Sequence, residues 1–277
     1  MNKENIKAKK IDLKRISSAL LGFPLVVLVL MVGNNYFVDI ALALISMIAI
    51  GEYLNAVSKK CHPIRWISYL SCVFVGVIHV IPTEYVRSII LSAIPILLLI
   101  LFLQVIITEM KTNFNDVVYT FFGIIYIPFF MSFIALTRGL ENGKILIWYL
   151  IGAAWVTDIF AYLVGKQFGK HKFSKISPKK TIEGCIGGFL GTLIFGLTYT
   201  KMLNSIGTFE YSYLYVGIMI SVLSIISQIG DFTASSIKRY VDIKDFSNLI
   251  PGHGGMLDRI DSLLFIAPFA YILISIL

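Results

Sequence analysis

The run from Ser235 to Asp261, SSIKRYVDIKDFSNLIPGHGGMLDRID, sets four basic and four acidic side chains and a Gly-His-Gly-Gly turn into a chain that is otherwise mostly apolar. Ionised groups are costly in lipid hydrocarbon, so a polar run of this density lies in water or lines a wet cavity. Asp231, Ser235, Lys238 and Arg239 follow one another at offsets of four, seven and eight from the acid. On a continuing helix these offsets bring an acid, a hydroxyl and a cation to one face. Such an Asp can hold Mg2+ while the cation holds a phosphate oxygen that the same metal polarises. A plain surface pairing is the simpler account, weakened because Asp231 ends an apolar run. In PGHGGMLDRID, Pro251, Gly252, Gly254 and Gly255 form a loop that can approach a ligand with bare backbone, ahead of a helix N-terminus. Asp258 and Asp261 stand three apart on one face of that helix, where a divalent cation could be held and the dipole favours carboxylates. Capping accounts for one acid, but two beside Arg259 and His253 ask for more. His253 either donates to a phosphate or braces the turn.

Two further groups lie upstream. Asp158, Tyr162, Gly165 and Gly169 are spaced by four, three and four residues, along one face of a helix that emerges from the membrane. Asp158 is expected to face the bundle interior with a partner, and the glycines admit another backbone or a ligand. A buried polar link between helices is the bland alternative. The loop Lys170–Lys180 is strongly cationic, and SPKKTIEG (177–184) predicts a helix start with Pro178 just inside and Glu183 in the first turn. Backbone N–H and ammonium groups could converge on a phosphate there. That reading is taken for Lys179 and Lys180; Lys170, Lys172 and Lys175 need no more than a preference for positive charge on the inner side.

These groups must be positioned by membrane helices. A hydrophobic content of 57% against 14% charged residues in 277, with a mean hydropathy of +0.82, describes an all-α integral membrane protein and leaves no room for a large soluble domain. Apolar runs predict about nine transmembrane helices, near Ile16–Val32, Val38–Leu54, Trp66–Ile81, Ile89–Thr108, Val117–Thr137, Ile145–Val164, Ile186–Met202, Tyr213–Gln228 and Leu263–Ile276. The first is read as a retained anchor, because no small-residue cleavage site follows it. With the N-terminus cytoplasmic, 20 of the 24 Lys and Arg fall on the cytoplasmic side and only Arg87, Arg138, Lys144 and Lys201 on the other. The net charge of +8 is therefore first a topology signal, then an attraction to anionic lipid or nucleotide; nucleic acid is not implied. Residues 1–150 read as transmembrane scaffold and 151–277 as the catalytic region of one continuous membrane domain, with the active site at the cytoplasmic face. Within the scaffold, Glu52 reads as a carboxylate that snorkels or pairs locally. Cys61, Cys72 and Cys185 have no metal-ligand spacing and read as packing residues. His62, His79 and His171 read as structural or loop residues.

Separated carboxylates, a cationic loop and a glycine turn at one face describe a Mg2+-dependent phosphoryl or nucleotidyl transfer site. At this point the residues resemble a known signature, that of the integral-membrane phosphatidate cytidylyltransferases, or CDP-diacylglycerol synthases. The pattern is carried by Ser235, Lys238, Arg239, Lys244, Asp245, Ser247, Pro251, His253, Gly254, Gly255, Asp258, Arg259 and Asp261. Upstream, Asp158, Ala161, Tyr162 and Ser177 to Thr181 are also similar, with Lys166 where the family usually has Arg; the charge survives there without forked phosphate recognition. The likeness is specific over about 158–262 and general before that. It implies the reaction of CTP with phosphatidate to CDP-diacylglycerol and diphosphate in phospholipid biosynthesis, with Mg2+ and, as a second candidate, a monovalent cation such as K+. It places the metal on Asp231 and Asp258, with Asp261 as further ligand or support, and the triphosphate or lipid headgroup on Lys179, Lys180, Lys238 and Arg239. Ser235, Asp158, His253, Gly254, Gly255 and Arg259 are the remaining substrate-binding candidates. The implied setting is the inner membrane of a bacterium-like cell, with a homodimer left open. A CTP-dependent polyprenol or phytol kinase is the nearest rival. An anion transporter built on Asp158 and the basic loop is the rival from another class; it would need polar residues through the bilayer on both sides, which the N-terminal half of the chain lacks.

Overall fold

The computed structural model describes Pro24 and residues 26–174, 177, 180–207, 209–250, 252 and 254–277, the side chain of Thr83 excepted. Lys179, His253, Pro178, Pro251 and most of the first expected span fall outside the described residues. The described part is helical: α1 (Asn35–Val57), α2 (Arg65–Gly76), α3 (Thr83–Ile107), α4 (Phe114–Ile124), α5 (Phe130–Gly139), α6 (Gly143–Phe168), α7 (Ile182–Ser205), α8 (Tyr213–Tyr240) and α9 (Leu257–Ile274). No strand occurs among the described residues beyond two isolated bridges.

Six described helical runs are long and apolar enough to cross a membrane: α1, 84–107 of α3, the continuous run Phe114–Gly139, α6, α7 and α8. Each coincides with an expected span. The expected span Trp66–Ile81 differs. Its α-helix stops at Gly76 and gives way to a 3-10 turn, Ile78–Val80, so α2 alone covers only about 18 Å at 1.5 Å per residue. The segment nevertheless follows α1 from end to end. The Arg65 guanidinium donates to Asn55 Oδ1 (3.0 Å) and Ser58 Oγ (3.1 Å), and His79 Nδ1 meets the buried Asp39 carboxylate at 2.7 Å. Asp39 and Ser58 are about 28 Å apart along α1 at the helical rise. His79 thus has an acid partner that its sequence surroundings did not announce. The run 114–139 contains a π-turn, Ile125–Phe129, at Pro128, where the missing proline N–H breaks the ordinary ladder. The last expected span is α9, whose 18 residues open with Asp258, Arg259 and Asp261.

The chain divides into two compact units, residues 1–136 with 241–260, and residues 137–240 with 261–277. Most of the signature run, 241–260, belongs with the N-terminal helices. In the first unit α4 begins with a capping box, Asn113 and Asp116, and buried Asp116 also accepts the His62 N–H at 2.6 Å. Cys61 is buried with its thiol directed at the Val57 carbonyl. Burial, with Asp116 nearby, pushes this thiol up to about 11, which suits a packing residue.

In the second unit α6 and α7 lie unusually close because α7 presents glycines to α6. A Cβ at Gly184 would sit 2.6 Å from the Ala161 carbonyl oxygen, and one at Gly188 would sit 2.8 Å from that of Thr157. Small residues allow such backbone approach, the usual device of membrane helix pairs. The contact buries a hydroxyl cluster in which Thr157 Oγ1 meets Thr192 Oγ1 at 2.7 Å and Ser224 Oγ at 2.9 Å, tying α6, α7 and α8 together. Of the expected glycines, Gly165 faces Thr181 and Gly184, and Gly169 faces Thr181. They receive backbone and helix cap, so the choice between a neighbouring chain segment and a ligand falls to the former.

Candidate active site

The acids of the second unit come together where α8 meets α9. Gly230 makes this possible: a Cβ there would lie 2.7 Å from Phe265 Cβ and 3.2 Å from the Asp261 carbonyl oxygen, so the helices touch one residue before Asp231. Asp261 is buried, only 6% exposed, and Asp231, Lys238 and Asp158 are all near enough to act on its charge. Three carboxylates from α6, α8 and α9 and one ammonium thus share one neighbourhood. α8 runs unbroken through Tyr240, which puts Asp231, Ser235, Lys238 and Arg239 on one helix as their spacing required. Asp158 is exposed rather than turned into the bundle interior, and it meets the group from its open side.

The cationic loop folds back onto the same acids. Phe173 N–H donates to the Lys180 carbonyl (3.0 Å) and Ile182 N–H to that of His171 (2.9 Å), closing the loop at its base. Lys180 then forms an ion pair with Asp231 and lies 4.6 Å from the centre of the Phe232 ring, which stacks on Phe173. The helix that follows starts at Ile182 with Thr181 as N-cap, its Oγ1 accepting the Gly184 N–H at 3.1 Å; Ser177 and Lys180 precede it outside the helix. The start is later than the Pro178 expected, because Thr181 provides the side-chain acceptor that a helix start needs. Glu183 does lie in the first turn. Its carboxylate takes the His171 ring at 2.6 Å and the Lys170 and His171 N–H groups, so it is engaged with the loop.

In the first unit the glycine loop is a closed turn. Ile250 N–H donates to the Gly254 carbonyl at 2.8 Å, and Gly252 and Gly254 have φ of +80° and +86°, the left-handed region that glycine adopts without strain. Asp258 Oδ2 accepts the N–H groups of Phe246 (2.8 Å) and Gly255 (3.0 Å), so this acid also braces the turn. The N–H groups of Met256 and Leu257, at the start of α9, are taken by Glu52 of α1 at 2.9 and 2.8 Å. Glu52 also accepts Ser247 Oγ at 2.6 Å. Its partners lie some two hundred residues along the chain, so the local pairing expected for it does not occur. Only the composition of its surroundings, a lone acid near the end of an apolar run, could have drawn attention to it. Arg259 is exposed.

Among the described residues no three His, Cys, Asp or Glu side chains are already arranged around one point as a metal cage. The donor chemistry nonetheless fits Mg2+, which takes a few hard oxygen ligands and keeps several waters. Asp231 already holds a cation, the Lys180 ammonium. Beside the acids, the buried hydroxyls Ser227 Oγ and Ser262 Oγ have no hydrogen-bond partner, and both are oxygen donors.

A profile described as the Cytidylyltransferase family matches residues 13–277. The chain is 35% identical over 180 residues to the phosphatidate cytidylyltransferase of Bacillus subtilis, covering 64% of this chain and 65% of that protein. It is 39% identical over 158 residues to the phosphatidate cytidylyltransferase of Thermotoga maritima, covering 56% and 58%. These two alignments span less than two thirds of the relatives' own lengths. A third, to the phosphatidate cytidylyltransferase of Staphylococcus haemolyticus, is 29% identical over 261 residues and covers 94% of this chain and 98% of the other. The profile runs through the membrane helices, the acid neighbourhood and the cationic loop alike, and the chain accordingly belongs to the cytidylyltransferase family.

Proposed function

We propose that this multi-pass membrane protein is a phosphatidate cytidylyltransferase, joining CTP and phosphatidate into CDP-diacylglycerol and releasing diphosphate. The observation that carries the reading is the convergence of Asp158, Asp231 and Asp261 with Lys238 and Lys180 at one end of a membrane helix bundle. A phosphatidate oxygen attacks the α-phosphorus of CTP in line; the new P–O bond forms as the α–β anhydride bond breaks, and the electron pair leaves with diphosphate. The nucleophile is already ionised, so no side chain needs to act as a strong general base. Lys180, Lys238 and Arg239, with Lys179, bind the triphosphate or the lipid phosphate. Asp231 and Asp261 are the proposed Mg2+ ligands of the second unit; Asp258, in the first unit, is proposed as a metal-binding acid on the family resemblance alone. When bound, Mg2+ supplies charge neutralisation at the attacked and leaving phosphate oxygens. A K+ site is a further proposal that rests on the family resemblance alone.

An apolar groove of about 560 Å³ supports lipid as the second substrate. Ile182, Ile186, Phe189, Ile225, Ile229 and Phe232 line it between α7 and α8, beside the Lys180–Asp231 pair. An acyl chain in this groove would keep its phosphate at the charged end. The cytoplasmic placement of the site is likewise a proposal. In its favour, the cationic loop meets α8 at Asp231 and Phe232, beyond its expected span, and Lys60 pairs with Asp242 at 3.6 Å, so segments expected on one side of the membrane do touch.

The deciding experiment incubates purified protein with phosphatidate, Mg2+ and CTP labelled at either the α- or the γ-phosphate. Lipid carrying the α-label is the expected result. Lipid carrying the γ-label would make the protein a lipid kinase instead.

A further inference from the structure

Glu52 lies near the end of α1, and its carboxylate is buried, 7% exposed. It accepts three hydrogen bonds, from Ser247 Oγ, Met256 N–H and Leu257 N–H, at 2.6 to 2.9 Å. Gly255 is a glycine because of it, since a Cβ there would fall 2.6 Å from Glu52 Oε2 and 2.8 Å from Cδ. From within the loop Asp258 takes the Phe246 and Gly255 N–H groups, so two carboxylates hold the segment 246–257. We infer that Glu52 is a positioning residue for the reaction proposed above, an inference that rests on that reading. It fixes the glycine turn and the first turn of α9, and through them the direction in which Asp258 leaves the helix. Glu52 is not a substrate ligand: its oxygens are spent on the chain's own donors. A carboxylate accepting backbone N–H groups at a helix start is favoured by the dipole as well as by the bonds. Displacing a reacting group by about 1 Å can cost about 10²-fold in rate, which makes such a clamp kinetically visible.

The test uses the full chain in lipid nanodiscs, with steady-state rates for CTP and phosphatidate and amide hydrogen exchange of 246–257 and of α8. Glu52→Gln replaces one acceptor oxygen by an NH2 group that faces a donor. The expected result is a fall in kcat of about ten- to a hundred-fold, KM for CTP changed less than three-fold, and exchange at least ten-fold faster in 246–257 with α8 unchanged. Gly255→Ala is expected to lose activity by pressing its methyl on Glu52, and Glu52→Asp, one methylene shorter, is expected to restore part of it in the double variant. An active wild type with Glu52→Gln unchanged in kcat, or with α8 exchanging faster by the same factor, overturns the inference. So does a double variant no better than Gly255→Ala. A wild type that transfers no α-label sinks the proposed function instead, and the exchange comparison still reports whether Glu52 holds the loop.

Discussion

Asp231→Asn separates the stabilising part of the acid neighbourhood from its chemical part. In the folded protein Asp231 pairs with Lys180, and both side chains are about a quarter exposed or less. Two unit charges about 4 Å apart at an effective dielectric of about 20 attract by about 4 kcal/mol, and desolvation of the pair takes back much of that. Lys180 also keeps the Phe232 ring at 4.6 Å, worth about 0.5–2 kcal/mol. The net loss of stability should therefore be small, about 1–2 kcal/mol. The loss of activity should be far larger, because the asparagine amide cannot supply the negative oxygen on which a divalent ion and a transferring phosphoryl group depend. At least about 10³-fold in kcat, or about 4 kcal/mol, is expected. Transfer of α-labelled CTP to phosphatidate, measured beside thermal unfolding in the same detergent, reads both quantities. Lys180→Met is the matched control and should raise KM for CTP by about ten- to a hundred-fold with a smaller change in kcat. A folded Asp231→Asn protein that keeps more than a tenth of the wild-type kcat would refute the reasoning.

Three other outcomes are expected. Asp258→Asn leaves a carbonyl oxygen to accept the Phe246 and Gly255 N–H groups, so it should abolish turnover while hydrogen exchange in 246–257 stays near wild type, whereas Asp258→Ala should lose both. Gly188→Leu drives a side chain into the Thr157 carbonyl of α6 and should destabilise the protein by about 1–3 kcal/mol or more, read as a lower unfolding temperature. Ile186→Trp fills the groove between α7 and α8 and should raise KM for long-chain phosphatidate several-fold, leaving KM for CTP and the rate with a short-chain analogue near wild type.

Much of this was legible because hydropathy and helical spacing are local properties. Six apolar runs became long helices close to their expected bounds, and the offsets of Asp231, Ser235, Lys238 and Arg239 were enough to place them on one continuous helix. The illegible parts depend on contacts between distant segments. Gly76 is a local signal for the end of α2, but the contact of His79 with Asp39 of α1, forty residues earlier, is not. Pro178 was a sound helix-start signal by itself, yet Thr181 was the better cap. Asp158 was expected inside because a lone carboxylate in an apolar run is costly in lipid, whereas its helix carries it to the exposed side of the acid neighbourhood.

The acids also show why a signature read as one motif has to be taken apart residue by residue. Glu52 and Asp258 accept backbone N–H groups over 246–257; Asp231 holds an ammonium and Asp261 is surrounded by other charges. All four are carboxylates at the ends of apolar helices, and composition gives no ground for separating them. Partners do. An oxygen that already accepts two N–H groups has a fixed direction and little remaining freedom, which suits a residue that sets where others point. An oxygen whose partner is a flexible lysine can exchange that partner for another cation with only one side chain moving. The segment 231–261 thus holds two devices in sequence, a helix whose Asp231 grips an exchangeable ammonium and a turn that Asp258 and Glu52 anchor. The anchor comes from α1, in the half of the chain that hydropathy alone would pass over as scaffold.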